Sequence, residues 1–420
     1  MSRPIIPIRT VDAKGQTPTQ AQAQHEAVAG HALAYLRPGD IHLNSLPPLA
    51  LYVHFPWCVK KCPYCDFNSH EARDGFDEDA YLQALRDDLS VSLPMIWGRR
   101  IHSVFIGGGT PSLLSAHGLD RLLSDLRAML ALDQMVEITM EANPGTFEQE
   151  KFAAFRQSGI NRLSIGIQSF NSEFLQALGR IHDGQQACQA VALARDLFEN
   201  INLDLMYALP GQNLKQLKED LDIALGFKPD HLSVYHLTLE PNTYFAKFPP
   251  NLPDDDSAAE MQDFIQSQLA QAGYHHYEVS AYARPGRYSQ HNLNYWNFGD
   301  YLGIGAGAHS KISFPNRITR QMRYKQPARY MEACAQGLMV QEEHEVSLEE
   351  LPFEFMLNCL RLQDGFPVRL FGERTGLSLQ AIQQQLELAE QKGLLNRDHQ
   401  LISPTPLGRQ FLNDLQQIFL

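Results

Sequence analysis

Cys58, Cys62 and Cys65 stand together in the stretch CVKKCPYC. Thiolates crowded in this way hold zinc, copper(I) or an iron–sulfur cluster. A structural zinc ion takes four ligands and normally completes them from a second cysteine or histidine pair. No such pair follows, although His54 and His70 can each be offered as the fourth ligand. The other reading is a 4Fe-4S cluster on three cysteines, which leaves one iron open. The position two beyond Cys65 is Phe67, so the run of cysteines stops there. Cys188, Cys334 and Cys359 are scattered and read as small buried hydrophobes.

Other chemistry-bearing residues follow at intervals. Gly107-Gly108-Gly109-Thr110-Pro111 closes an apolar run. Glycines there let backbone approach a ligand and adopt positive φ, although an ordinary strand-to-helix turn needs no more. Glu141 closes the next run, in EANPG, where a carboxylate serves as a cap, an ion-pair partner or a ligand. In HNLNYW, His291 neighbours Tyr295 and Trp296. Imidazole is a common axial ligand of heme iron, and flat rings suit a porphyrin. A histidine amid aromatics is otherwise a hydrogen-bonded core residue.

These residues need elements to position them. Short β-rich runs recur at LYVHF (51–55), IHSVFIG (101–107), VEITMEA (136–142), RLSIGIQ (162–168), INLDLMYAL (201–209) and HLSVYHL (231–237). Helical-period stretches such as YLQALRDDLSVSL and LKQLKEDLDIALGF separate them. Strands alternating with helices predict an α/β fold with a parallel sheet of right-handed crossovers. Six such units predict a partial (β/α)6 barrel, with function at the C-terminal strand ends. The cysteines, the glycines, Glu141, Gln168 and the LDLMYALPG segment all fall at such ends. After about residue 240 the pattern becomes irregular, and beyond 346 it turns mainly helical with two short strands, in a winged-helix-like order. The expected division is an N-terminal extension (1–48), a barrel core (49–285), an irregular extension carrying HNLNYW (286–345) and a C-terminal domain (346–420).

Bulk properties narrow the function. At 44% hydrophobic and 20% charged residues, the 420-residue chain has an ordinary globular composition. A net charge of −13 argues against a broad phosphate-binding surface, so no nucleic-acid partner is expected. The C-terminal domain, with six Lys or Arg against nine Asp or Glu, reads as a lid or partner-facing unit rather than a DNA reader. No apolar run nears the ~18 residues of a membrane span, so an integral membrane protein is not expected. The start of the chain lacks a signal core, and reduced cysteines point to the cytoplasm.

The spacing C-x3-C-x2-C resembles the signature of radical S-adenosylmethionine (SAM) proteins. That resemblance implies a 4Fe-4S cluster on Cys58, Cys62 and Cys65, with the amino and carboxylate groups of SAM chelating its open iron. Electron transfer from the cluster can then split a carbon–sulfur bond and give the 5′-deoxyadenosyl radical. It further implies that Gly108, Gly109 and Thr110 present backbone to the SAM amino group. Glu141, Gln168, Arg180 and Asp204 would contact its ribose and methionine moieties, and Tyr52 and Tyr64 would flank the cluster and adenine.

Over residues 50–420 the chain is similar to the oxygen-independent coproporphyrinogen III oxidase family and its relatives, through LYVHFPWCVKKCPYCDFNSH, FIGGGTPSLL, EANPGT and RLSIGIQSF. The true oxidase has a further cysteine two positions after the third. Phe67 stands there instead, as in the HemW-type heme chaperones, and HNLNYW matches the H-N-x-x-Y-W motif of that branch. The resemblance implies heme binding through His291, Tyr295 and Trp296, and transfer of heme to acceptors such as respiratory enzymes, which would bring the chain to the inner face of the membrane. If SAM is cleaved, a flavodoxin or ferredoxin would supply the electron. The alternative is a radical-SAM enzyme that decarboxylates coproporphyrinogen III to protoporphyrinogen IX. No catalytic residue follows from the sequence.

Overall fold

The computed structural model describes residues 41–73, 75–146 and 149–420. Of the expected N-terminal extension, residues 1–40 lie outside this range. The segment from residue 41 lies along the body, with Leu43 N–H donating to the Pro315 carbonyl at 2.8 Å.

Six strands run in parallel in sequence order: β1 (Leu49–Phe55), β2 (Arg100–Gly108), β3 (Ala131–Ala142), β4 (Arg162–Gln168), β5 (Ile201–Tyr207) and β6 (His231–His236). Their middles are mostly apolar, most completely in LALYVHF, because helices cover one face and the barrel interior the other. A helix follows each: α1 (Glu78–Ser92), α2 (Ala116–Met129), α3 (Gln149–Ser158), α4 (Gly184–Leu197), α5 (Leu214–Gly226) and α6 (Asp255–Gln271). Local chemistry starts them. The Asp77 carboxylate accepts from the Ala80 N–H and caps α1. Reciprocal capping boxes, Asp183 with Gln186 and Asn213 with Gln216, open α4 and α5. This is the partial (β/α)6 barrel that the alternation predicts.

The structure departs from expectation in the 286–345 stretch, which is regular. A short helix, α7 (Gln290–Trp296), leads into four strands: β9 (Asp300–Ile304), β10 (His309–Phe314), β11 (Arg317–Arg323) and β12 (Val340–Glu345). Strand β9 pairs in parallel with β1, and the other three continue antiparallel. On the far edge, β7 (His275–Glu278) and β8 (Ala281–Ala283) extend β6, giving a twelve-stranded sheet in the order β12-β11-β10-β9-β1-β2-β3-β4-β5-β6-β8-β7. The pattern hides these strands because buried charges interrupt it. Lys311 is 1% exposed and Arg323 is 0% exposed, each facing a buried carboxylate.

Beyond residue 346 the chain builds its own core around Phe355, Phe366, Phe371 and Leu386. It contains α8 (Leu351–Cys359), α9 (Val368–Thr375), α10 (Gln383–Gln391) and a three-stranded sheet that includes Leu395–Arg397 and Leu401–Pro404. The expected final helix is two short ones, Pro406–Gln410 and Leu412–Gln417.

A buried ion pair ties the first helix to the antiparallel extension of the sheet. Asp88 on α1 meets Arg323 on β11 at 3.0 Å, with both side chains fully buried. The Tyr330 hydroxyl donates to the same carboxylate at 2.8 Å, and Gly305 N–H donates at 3.2 Å. Asp88→Ala leaves the guanidinium buried without its partner, so it should destabilise the fold by about 3–5 kcal/mol. Urea unfolding measures this, and an unchanged midpoint would refute the role given to the pair.

Candidate functional site

The cysteine loop springs from β1. Trp57–Cys58 pairs in parallel with His70–Glu71, which closes the loop at its base. His70 N–H donates to the Pro56 carbonyl at 2.7 Å and Ala72 N–H to the Cys58 carbonyl at 2.9 Å. Gly109 and Thr110 N–H groups donate to Phe55 and Trp57 carbonyls, each at 2.7 Å, and so fasten the glycine segment to the loop. A side chain would not fit there. A Cβ on Gly108, whose φ is +113°, would stand 2.5 Å from the His54 ring, and one on Gly109 would stand 2.5 Å from the Trp57 carbonyl oxygen.

Eleven of the residues singled out in the sequence line one cavity of about 540 Å³: Cys58, Cys62, Tyr64, Cys65, Gly108, Gly109, Thr110, Glu141, Gln168, Arg180 and Asp204. Burial pushes the Cys58 and Cys65 thiols up, so a bound metal must supply what keeps them as thiolates. Arg180 donates to the Gly166 carbonyl at 2.6 Å and reaches the Cys62 sulfur at 3.7 Å. Its Nε is buried without a partner. Gln168 sits at a register shift between β4 and β5 with φ +71°, an uncommon conformation for a side-chain-bearing residue and one often found at binding sites.

Opposite the loop, two carboxylates lie close enough to feel each other. Burial pushes Glu141 up to about 8, with Asp204 adding to the effect while the Gly108 N–H donates to it at 3.0 Å. Burial also raises Asp204, against hydrogen bonds from Asn202 and Ser164. Two buried acids facing an open space, beside the cysteine loop, make a place for a positively charged ligand. Sequence reasoning missed Ser164, Asn202 and Ser233, which also line the cavity. Their signal was available. Ser164 alternates with Gly166 and Gln168 on β4, and Asn202 with Asp204 on β5, so each pair faces the same side.

A second cavity of about 710 Å³ adjoins the first, with Cys65, Phe67, Gly108 and Glu141 on both walls. Tyr52 lies here, not in the first cavity, and its hydroxyl meets His54 Nδ1 at 3.0 Å. Helix α7 spans the two: Asn292 lines the first and Tyr295 the second. Glu137 accepts the N–H groups of Gln290 and His291 at the start of α7, each at 3.2 Å. His291 is on neither wall. It stacks on Phe105 with ring centroids 5.0 Å apart, and its Nδ1 meets the Ser103 hydroxyl at 3.1 Å. Burial holds it down to about 3, hence neutral. Trp296 packs on the C-terminal core with the Arg361 guanidinium 4.2 Å over its ring.

One buried hydrogen-bond chain leads from the first cavity to α7. Asn202 bridges Asp204 to His231 Nδ1, and His231 Nε2 meets the Tyr277 hydroxyl at 2.7 Å. That hydroxyl accepts from Ser289, the cap of α7.

The donors fit a cluster better than a single ion. Among the described residues, no three His, Cys, Asp or Glu side chains gather tightly enough to hold one metal. His54, offered above as a zinc ligand, uses both ring nitrogens, on Tyr52 and on the Asn68 carbonyl. On a 4Fe-4S cluster each thiolate takes a different iron, so the three sulfurs need not converge on one point.

Residues 52–224 match the radical SAM superfamily, and residues 346–411 match the HemN C-terminal domain. The heme chaperone HemW of Escherichia coli is 47% identical over 90% of this chain and 99% of its own length. The HemW of Bacillus subtilis is 35% identical over 88% of the chain and 98% of its own. The chain belongs to the HemW family. In structure it is similar to coproporphyrinogen III oxidase (HemN) from Escherichia coli, a radical SAM enzyme, with a TM-score of 0.78 over 93% of both chains; at 24% identity this likeness speaks for the fold alone. No helix among the described residues of this HemW-family chain is long and apolar enough to cross a membrane.

The carboxylates carry a test. Folded and without ligand, Glu141 keeps its proton to about pH 8, whereas its ordinary value is 4.5. Its contribution to stability is therefore full below pH 4.5 and is lost as pH rises to about 8. Glu141→Gln should raise the ligand-free melting temperature at pH 8 by about 2 °C or more. The gain should shrink toward pH 5. An equal or lower melting temperature at pH 8 would contradict the strained-acid assignment.

Proposed function

We propose that this chain is a heme chaperone that binds heme and passes it to acceptor proteins, respiratory enzymes among them, while carrying a 4Fe-4S cluster with SAM at the open iron. The observation that carries the reading is the 47% identity to a heme chaperone over nearly that protein's full length. Phe67 supports it, standing 59% exposed on the cavity wall where an oxidase-type chain would have another cysteine.

Cys58, Cys62 and Cys65 would hold the cluster, which supplies electron transfer to SAM when both are bound. The chain's own residues explain the ligand. SAM carries a sulfonium and an ammonium, and Glu141 and Asp204 offset that charge in a buried setting. The N–H groups of Gly108, Gly109 and Thr110 are already spent on Glu141, Phe55 and Trp57, so this segment offers an ammonium group acceptors only. Arg180, with one nitrogen left over, suits the SAM carboxylate. Gln168 and Tyr64 complete the wall.

The rival reading, anaerobic coproporphyrinogen III decarboxylation, draws on the shared fold. Two assays decide. Hemin titration of the reconstituted chain should give a saturating Soret band at one heme per chain, and its absence would sink the chaperone reading. Reduced protein supplied with SAM and coproporphyrinogen III should form no protoporphyrinogen over many turnovers; sustained formation would make it an oxidase. Separately, Cys62→Ser should remove the cluster absorbance near roughly 410 nm and its iron. Unchanged iron content would refute the cluster assignment.

A further inference from the structure

The first cavity continues past its two acids to a buried cation. Arg162 opens β4 at the end opposite Gln168, yet both line this cavity, because Arg162, Ser164, Gly166 and Gln168 alternate onto the inner face of the strand. Only 2% of Arg162 is exposed. Among the described residues its guanidinium makes no ion pair and no hydrogen bond, and its Nε is closed off without a partner. A buried cation left in this state is costly. The fully buried Arg323, by contrast, meets Asp88 at 3.0 Å.

The acids of the barrel do not supply the missing partner. Glu137, on the neighbouring strand, spends its two carboxylate oxygens on the Gln290 and His291 N–H groups. Asp204 feels the Arg162 charge but is held by Asn202 and Ser164, and it stays above its ordinary range.

The rest of the wall shows what would fit. Phe105 and Met206 offer apolar surface, and the Asn292 side chain, from α7, makes no hydrogen bond among the described residues, so its amide is available. One guanidinium balances one negative charge, and Asp204 on the same wall disfavours a second. A carboxylate meets both terms, since it takes two guanidinium N–H groups side by side and carries a single charge.

Accepting that SAM takes the rim of this cavity through Glu141, Asp204 and Arg180, we propose that its deep end is a second ligand site, where Arg162 binds the carboxylate of a small organic monoacid. Phe105, Met206 and Asn292 face the remainder of that molecule, which shares the cavity with SAM.

The test is calorimetric titration of the full chain, reconstituted with its cluster and loaded with SAM. Benzoate is the probe and benzamide its uncharged counterpart. Benzoate should saturate at one per chain, and benzamide should bind at least about tenfold more weakly for want of the charge-assisted hydrogen bonds. In Arg162→Met, benzoate should fall to the benzamide level while the cluster absorbance and the SAM affinity hold. Should the methionine chain not fold, Asn292→Asp decides: weaker benzoate binding with benzamide unaffected supports the site, and unaltered binding overturns it. Equal binding of the two probes, binding of neither, or benzoate binding that survives in Arg162→Met overturns the proposal. Loss of SAM from Arg162→Met also overturns it, because Arg162 would then be a SAM residue, and so does tighter binding of inorganic phosphate than of benzoate. If the unmodified chain takes benzoate but no SAM, the reading of the rim fails and the deep site stands.

Discussion

Parallel pairing is the constraint from which the site follows. Strand β9 and strands β1 to β6 all run the same way, so their C-terminal ends arrive at one rim. That rim brings Cys58, Gly108, Glu141, Gln168 and Asp204, spread over nearly 150 residues of sequence, onto the wall of one cavity. The helices make this possible by covering the outer face of the largely apolar strands. The antiparallel strands β10 to β12 then extend the sheet past β9, and His309 brings that extension to the second cavity.

The cost of the arrangement shows in its electrostatics. Glu141 and Asp204 are buried together in no ion pair, and both are held above their ordinary range although the Arg162 charge on the same wall pulls Asp204 down. Other buried acids meet cations directly, Asp88 with Arg323, and Asp300 with Lys311 and Arg99, whereas Asp220 is satisfied by Ser169 and the Phe170 N–H. What sets Glu141 and Asp204 apart is that they share one cavity wall with the cysteine loop. The chain from Asp204 through Asn202, His231 and Tyr277 to Ser289 adds a physical link between that charge and the helix whose Tyr295 faces the second cavity.

Much of this was legible in the sequence. The six parallel strands showed as apolar runs ended by glycine or polar residues, and RLSIGIQ marks β4 to the residue. The cysteine spacing named the metal chemistry because three thiols in eight residues have few other uses. What could not be read is where side chains turn. Tyr52 sits one residue from Val53 on the same strand, yet it alone of β1 is partly exposed and faces the second cavity. His291, Tyr295 and Trp296 share one short helix, whose turn sends them respectively into the barrel wall, the cavity and the C-terminal core. The strands after residue 300 were hidden because buried ion pairs, which depend on partners far off in sequence, replaced the apolar alternation.

The central claim is that the cysteine loop leaves one iron for a ligand held by the facing strand ends. Mössbauer spectroscopy of the chain reconstituted with iron-57 tests it most directly, because each iron reports its own coordination. Addition of SAM should shift the signal of a single iron subsite toward higher coordination and leave the others unchanged. A spectrum indifferent to SAM, or one in which all irons respond alike, would contradict the account.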